Sequence, residues 1–139
     1  MNVPRVGDTS ELVVCEELTR TRIVQFAAAS GELSPVHIDE EAAQALGHPT
    51  VMGHGMMTLA MAARVITCWF GADALRTLSA RFTAPVWPGD CLSSRAVVTS
   101  VETVGALTLV GLALEATNGR GIRVLAGQAG VAIDRSQGA

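Results

Sequence analysis

The chain has 139 residues, of which 49% are hydrophobic and 17% charged. So apolar a chain can bury enough surface to offset the entropy of ordering, which excludes intrinsic disorder, and its length predicts a single domain over residues 1–139. Ten cations and thirteen acids give a net charge of −3, which argues against nucleic-acid binding.

Cysteine content and the absence of long apolar stretches indicate where the protein works. Cys15, Cys68 and Cys91 are widely spaced, which favours reduced thiols over a disulfide framework or a zinc site. The first residues lack the apolar region of a secretory leader, and no apolar stretch reaches the roughly 20 residues that span a bilayer. We therefore expect a cytoplasmic protein without a membrane span. Because a small domain exposes much of its surface, the surplus of apolar residues also predicts a dimer or higher oligomer.

The first half of the chain predicts one short strand followed by helices. Thr19 and Asp39 carry side-chain oxygens suited to helix N-caps, and Gly31 supplies the left-handed conformation in which many helices end. The last predicted helix is apolar nearly all round, which indicates that it is buried. These elements are a strand at 11–17 and helices at 20–29, 40–46 and 55–70.

The second half predicts four long strands. It consists of runs rich in β-branched residues, separated by the turn signals Pro88-Gly89-Asp90, Gly105 and Asn118-Gly119. We expect them to pair in meander order, each with the next. With the early strand they predict an α+β fold, in which an antiparallel five-stranded sheet wraps around the long central helix. The strands are expected at 75–86, 91–104, 106–117 and 121–133.

A stiff loop over residues 30–39 carries an acid and an imidazole five residues apart, Glu32 and His37. A carboxylate and a histidine that converge on one water form a general acid/base pair. Pro35 and the flanking helices would limit the freedom of both side chains. The alternative is a solvated glutamate beside a histidine that hydrogen-bonds locally.

A second motif, Gly53-His54-Gly55-Met56-Met57, lies at the start of the predicted central helix. Glycines there allow a ligand to approach free main-chain N–H groups, where the helix dipole favours negative charge. The enolate oxygen formed at a thioester carbonyl is such a charge. The alternative is a glycine-rich turn needed only for close packing. The methionines here suit an acyl channel, although methionine at helical spacing is more typical of core.

A third segment covers residues 81–90 and contains Pro85 and the Pro88-Gly89-Asp90 turn. Together with this segment, the two motifs resemble the MaoC-like, (R)-specific enoyl-thioester hydratases and dehydratases of the hot-dog fold. The resemblance is strongest to single-domain subunits of bacterial fatty-acid elongation, such as mycobacterial-type (3R)-hydroxyacyl-ACP dehydratase subunits. It extends over about residues 4–134. The family's catalytic aspartate is Glu32 here, and its asparagine is Ser34. The matching residues are Phe26, Ser30-Gly31-Glu32-Leu33-Ser34-Pro35-Val36-His37, Ala43, His54-Gly55-Met56, Arg81-Phe82-Thr83-Ala84-Pro85-Val86 and Pro88-Gly89-Asp90.

The resemblance implies a hydro-lyase that adds water reversibly to a trans-2-enoyl thioester of CoA or acyl-carrier protein in fatty-acid metabolism. Glu32 and His37 would be the catalytic residues, with His37 accepting a proton from the water they hold. No cofactor and no metal are implied, and the expected partner is a second hot-dog subunit in a homodimer or heterodimer. The residues implied to bind substrate are Ser34, His54, Gly55, with its N–H on the enolate oxygen, and Met56.

Two other functions and a metal site are the alternatives. Glu32 and Ser34 in place of the family's residues favour a non-catalytic subunit of a heteromeric dehydratase as the main alternative. An acyl-CoA thioesterase is less favoured, because such enzymes usually place an acid on the central helix and residues 55–70 contain none. A metal site is disfavoured because the spacing of the candidate ligands fits no common pattern. Those candidate ligands are His37, Asp39, His48 and His54.

Overall fold

A single five-stranded antiparallel sheet packs against a long helix in residues 4–134, the part of the chain that this computed structural model describes. Three shorter helices connect the first strand to the long helix, and a 3-10 turn (Ala72–Ala74) follows it. The α+β hot-dog architecture expected from the sequence is confirmed. In chain order the elements are β1 (Thr9–Cys15), α1 (Arg20–Ser30), α2 (Pro35–Ile38), α3 (Glu40–Ala45), α4 (Gly55–Phe70), β2 (Leu75–Phe82), β3 (Leu92–Val104), β4 (Leu107–Asn118) and β5 (Arg123–Asp134).

The core lies between α4 and the concave face of the sheet. Seven of the sixteen α4 residues are buried, among them Val65 and Ile66. On β4 buried and more exposed positions alternate, so that one face of the strand, including Leu112 and Leu114, contributes to the core. Since a fully buried aliphatic side chain stabilises the fold by about 1.5–3 kcal/mol, this layer anchors the molecule. The predicted burial of the central helix is confirmed.

The strand order is β1-β3-β4-β5-β2, so the predicted meander holds for β3, β4 and β5 but is wrong for β2. β2 pairs with β5, from Leu75↔Val131 to Phe82↔Leu125, and not with β3. Both edges of β3 are already occupied, by β1 and by β4. The connection over residues 83–91 therefore crosses the end of the sheet, and its two prolines lack the N–H groups that would extend β2.

The loop expected over residues 32–38 contains the short helix α2, which is a correction to the predicted elements. Ser34 precedes it and Pro35 occupies its first turn, where a missing N–H does no harm. The helix before it, α1, begins at the predicted N-cap Thr19 and ends at Gly31, which has a φ of 74°. Among residues 4–134 no helix combines the length and apolar character that crossing a membrane requires.

Candidate active site

Residues 31–54, which connect α1 to α4, carry most of the predicted site residues; we call this stretch the site segment. Its first turn is held locally. The Ser30 hydroxyl donates to the carbonyl of Phe26 and accepts from the N–H of Glu32, while one Glu32 carboxylate oxygen accepts from the N–H of Ser34 at 3.0 Å. The glutamate side chain thus folds back on its own main chain, and the start of the loop is fixed without a contact to the sheet.

His37 lies on α2 and is half-buried, with its ring tied to the far end of the site segment. Its Nδ1 lies 2.8 Å from the main-chain carbonyl of Met52. A carbonyl only accepts, so Nδ1 carries the proton and donates, which leaves Nε2 with a free lone pair. The N–H of Met52 in turn donates to the carbonyl of Val36. This pair of bonds sets the tautomer in which His37 can accept a proton.

A cleft of about 480 Å³ opens beside His37 and the first residue of α4. His37, His48, Thr58 and Thr83 contribute polar side chains, Gly55 lies at the start of α4, and the rest of the wall is mainly apolar. The first N–H groups of a helix have no partner within the helix, so an anion in the cleft would meet the positive end of the α4 dipole. The complete lining is His37, His48, Met52, Gly53, Gly55, Thr58, Phe82, Thr83, Ala84, Pro85, Val86 and Val124.

Close packing explains why Gly55 is a glycine. A Cβ at this position would lie 2.9 Å from the ring of Phe82, the last residue of β2. The absence of a side chain therefore lets the aromatic ring form the wall of the cleft beside the start of α4. The close-packing interpretation of the glycine-rich motif therefore holds at Gly55, and the approach of a ligand to its N–H stays a prediction.

The structure brings together only some of the predicted site residues. His37 and Gly55 line one cleft, whereas Glu32, Ser34 and Met56 are not among its lining residues. Glu32 is exposed, and its second carboxylate oxygen makes no hydrogen bond within residues 4–134. Met56 is 61% exposed, so it belongs neither to the cleft nor to the core. The shared water of Glu32 and His37 stays a prediction.

His54 lies beneath His37 rather than at the surface of the cleft. It is 2% exposed, its ring stacks on that of His37 with centroids 3.8 Å apart, and its Nε2–H donates to the carbonyl of Glu32 at 3.0 Å. Burial lowers the pKa of His54, and the neighbouring His37 ring lowers it further, against an opposing effect of the Glu32 carbonyl. The ring is therefore neutral at physiological pH.

A charged cluster ties the site segment to α1. The Arg20 guanidinium lies 2.8 Å from the Glu40 carboxylate, which also accepts from the Thr50 hydroxyl at 2.9 Å. These hydrogen bonds, that from Arg20 first, hold the pKa of Glu40 down to about 2. Since Glu40 begins α3 and Thr50 precedes the glycine-rich turn, the cluster fixes both sides of the segment around His37.

The sequence did not single out Thr58 and Phe82, which also line the cleft, as site residues. Thr58 is buried one turn into α4, where its hydroxyl donates to the carbonyl of His54. Phe82 ends the edge strand β2, and only the pairing of β2 with β5 brings it to Gly55. Thr58 had a usable signal, a hydroxyl one turn after the glycine-rich motif, but Phe82 depends on long-range pairing and had none.

Within the described residues no group of three or more His, Cys, Asp or Glu side chains could hold a metal ion.

Comparison with known proteins gives a consistent pattern. A family model described as "MaoC like domain" matches residues 2–119. The peroxisomal enoyl-CoA hydratase 2 of Arabidopsis thaliana is 34% identical over 91 residues, which is 63% of this chain and 29% of the plant protein. This chain therefore spans less than a third of that relative's length.

Solved structures with the same architecture include an (R)-hydratase. R-Hydratase PhaJ1 from Pseudomonas aeruginosa superimposes with a TM-score of 0.80 at 28% identity, covering 92% of this chain and 81% of the other. The C-terminally truncated HadBC (3R-hydroxyacyl-ACP dehydratase) complex from Mycobacterium tuberculosis gives a TM-score of 0.73 at 21% identity, with coverage of 96% and 100%. At that identity the second likeness concerns the fold alone.

Proposed function

Because this chain belongs to the MaoC-like domain family, we propose that it is a hydro-lyase that adds water reversibly to a trans-2-enoyl thioester and gives the (R)-3-hydroxyacyl thioester. The observation that carries the proposal is the pairing of His37 with the α4 N-terminus. His37 has a free Nε2 lone pair and lines one cleft with Gly55. A base on one wall and an anion-stabilising helix end on the other are the two groups that this reaction needs.

In the hydration direction His37 Nε2 removes a proton from water while the water oxygen bonds to C3 of the enoyl thioester. The electron pair of the C2–C3 double bond moves onto the thioester carbonyl, and the enolate oxygen accepts from the N–H of Gly55. The proton held by His37 then returns to C2, so the enzyme ends as it began. Dehydration is the reverse.

Glu32 is proposed as the second holder of the water. Its carboxylate keeps one oxygen free while the other accepts from the N–H of Ser34. The Nε2–H of His54 fixes the Glu32 carbonyl on the other side of the same residue. A carboxylate anchored in this way can orient a water toward His37 without being deeply buried.

Hydration of crotonyl-CoA, followed by the loss of enoyl-thioester absorbance, tests the proposal. We expect His37→Ala to lower kcat by about 10²- to 10⁴-fold, the usual contribution of a general base. Glu32→Gln should also lower it, whereas Glu41→Gln, an exposed glutamate on α3, is the matched control and should leave the rate unchanged. Wild-type rates in both His37→Ala and Glu32→Gln would contradict the catalytic assignment.

The second candidate function is a non-catalytic subunit of a heteromeric dehydratase. The observation in its favour is the exposed Glu32 carboxylate, which does not line the cleft of the single chain. Activity that appears only after mixing with a second hot-dog subunit would favour this candidate. A thioesterase is disfavoured because α4 (Gly55–Phe70) contains no aspartate or glutamate.

We further propose that the chain forms one hot-dog domain that pairs with another, either a second copy or a related subunit, in the cytoplasm. β2 is at the end of the sheet order, and only its β5 side is paired within residues 4–134. An unpaired strand edge is a template for pairing with another chain. Light scattering on the purified protein tests this, and a monomer at micromolar concentration that stays monomeric with related subunits would contradict it.

A further inference from the structure

One buried ring, that of His54, contacts both residues that the proposed reaction places at the water, the base His37 and the water-holding Glu32. It lies between Phe26, with ring centroids 4.9 Å apart, and His37, with centroids 3.8 Å apart and planes inclined by 24°. Its Nε2 reaches the main chain of Glu32, 22 residues earlier in the sequence. Its 2% exposure excludes direct contact with a ligand in the cleft.

We propose that His54 is a positioning residue, whose single neutral ring sets the orientation of His37 and the main-chain position of Glu32 relative to the α4 N-terminus. The inference rests on the proposed hydration reaction and replaces the substrate-binding role that the sequence predicted for His54. It assigns the residue two separable actions: a hydrogen bond to Glu32 and a stacking contact with His37.

The hydrogen bond acts on the start of the site segment. Glu32 is exposed, and its side chain bonds only to the N–H of Ser34. That local bond does not tie the turn to the rest of the molecule. The Nε2–H of His54 does so, because His54 immediately precedes α4, whose packing against the sheet is fixed.

The stacking contact acts on the plane of the His37 ring. The bond from His37 Nδ1 to the carbonyl of Met52 is a single contact at one edge of the ring. The face of His54 against the ring adds a second contact that opposes tilting and flipping of the plane, and so helps to hold the direction of Nε2. A shift of about 1 Å in a catalytic group can lower a rate about 10²-fold, so this restriction matters for rate.

The neutral state of His54 is part of the arrangement. Its Nδ1 is buried and has no hydrogen-bond partner within residues 4–134. A proton there would be a buried, unsatisfied donor and would place a second charge against His37 when that residue holds a proton. Burial lowers the pKa of His54 and opposes this protonation.

Two substitutions separate the two actions. In His54→Gln the side-chain N–H₂ reaches the position of Nε2 and keeps the donor to Glu32 without the ring, whereas His54→Phe keeps an aromatic face without the donor. We expect kcat for crotonyl-CoA hydration to fall about 10- to 100-fold in His54→Phe with a much smaller change in KM. His54→Gln should recover part of the loss relative to His54→Ala.

The ring nitrogens of His37, observed by ¹⁵N NMR on the whole protein, provide a readout that does not depend on activity. The wild type should show one protonated Nδ1 and one unprotonated Nε2. In the variants that lose the stack, a more mobile His37 ring should bind the Met52 carbonyl less firmly, which broadens these signals. If the wild type does not hydrate crotonyl-CoA, the proposed function fails, yet this spectrum still tests the positioning. Unchanged His37 signals in His54→Gln, which loses the stack, together with unchanged kcat in His54→Phe, which loses the donor, would overturn the inference.

A second variant covers the case in which His54→Phe does not fold. Phe26→Leu removes the aromatic contact from the other face of His54 and leaves every hydrogen bond of the site segment in place. We expect a smaller fall in kcat, of a few-fold to about 10-fold, with broadened His37 ring-nitrogen signals. A lower melting temperature with unchanged kcat and unchanged His37 signals would assign these rings a structural role only and would overturn the inference.

Discussion

The sheet with α4 and the site segment (residues 31–54) are held together in different ways. β3 and β4 pair along their whole length, from Leu92↔Asn118 to Val104↔Leu107 with one register shift between Val98 and Ser100, and their core-facing side chains pack on α4. The site segment has no long ladder. It is fixed by separate bonds, such as His37 to Met52 and His54 to Glu32, each of which sets one part of the geometry.

This difference indicates which property each region controls. In the sheet and core the stability of the fold is distributed over many contacts. A substitution there therefore changes the stability of the whole domain without changing the geometry of the cleft. In the site segment one lost bond releases one catalytic candidate while the domain stays folded. Stability and rate should therefore respond to different sets of residues.

The largest effect on stability should come from the core. Ile66 is fully buried on α4, and we expect Ile66→Ala to lower the free energy of unfolding by about 2–5 kcal/mol, as for other large-to-small core substitutions. Ile122→Ala, at an isoleucine that is 44% exposed just before β5, is the matched control and should stay within about 0.5 kcal/mol. Denaturant titration measures both. A similar loss in both variants would break the comparison.

The next largest loss of stability should come from a substitution where β2 pairs with β5. A Cβ at Gly127 would clash with the main-chain oxygen of Ser79, so the two strands must separate locally. We expect Gly127→Ala to cost about 1–3 kcal/mol, the usual range for overpacking. Gly119→Ala is the control, because its Cβ would meet the nearest atom, on Cys91, at an ordinary 3.6 Å. Equal stability of the two variants by thermal melting would contradict this expectation.

Unlike the two substitutions above, which lower stability, Gly55→Ala should have a small effect on stability and a larger effect on the rate. The added Cβ pushes the half-exposed Phe82 ring, which can move at low cost, but the ring then changes the wall of the cleft beside the Gly55 N–H. We expect a fall in kcat/KM of about 10- to 100-fold for crotonyl-CoA. The double variant Gly55→Ala with Phe82→Leu should recover part of this loss. No recovery would show that the ring is not the cause.

The smallest effect should be a pH dependence that originates in Glu40. Its pKa is about 2 in the folded protein and 4.5 ordinarily, so its ion pair and hydrogen bonds stabilise the fold fully above pH 4.5 and less as the pH falls toward 2. Melting temperatures between pH 6 and pH 2 should therefore fall less steeply in Glu40→Gln than in the wild type. Glu41→Gln should follow the wild type, and identical curves for all three proteins would contradict the assignment.

Local signals in the sequence predict most of the elements, because caps and turns depend on nearby residues. The helix over 55–70 has the bounds expected, and β3, β4 and β5 begin and end within two residues of the predicted runs. Asn118 shows why: its side-chain oxygen accepts from the N–H groups of Arg120 and Ile122 and closes the turn locally. The position of β2 at the far edge could not be predicted, since pairing with β5 is a long-range contact.

The sequence predicted which residues occur near the cleft, but not which of them line it and which are buried beneath it. His37 and Gly55 occur in motifs whose chemistry points to a base and an anion-binding helix end, and both line the cleft. The spacing of His37 and His54 does not reveal which ring lies inside, and only the packing against Phe26 shows that His54 is the buried one. The role of Glu32 depends on a side-chain direction that sequence patterns do not specify.

The crossing connection over residues 83–91 has a consequence for biosynthesis. The N–H of Gly53 donates to the carbonyl of Val86, and Leu18 exchanges main-chain hydrogen bonds with Gly89 and Asp90. One wall of the cleft is therefore supplied by residues that leave the ribosome after His37, and β5, which supplies Val124 to the same cleft, is made later still. In a nascent chain the cleft therefore cannot form until β5 has been translated.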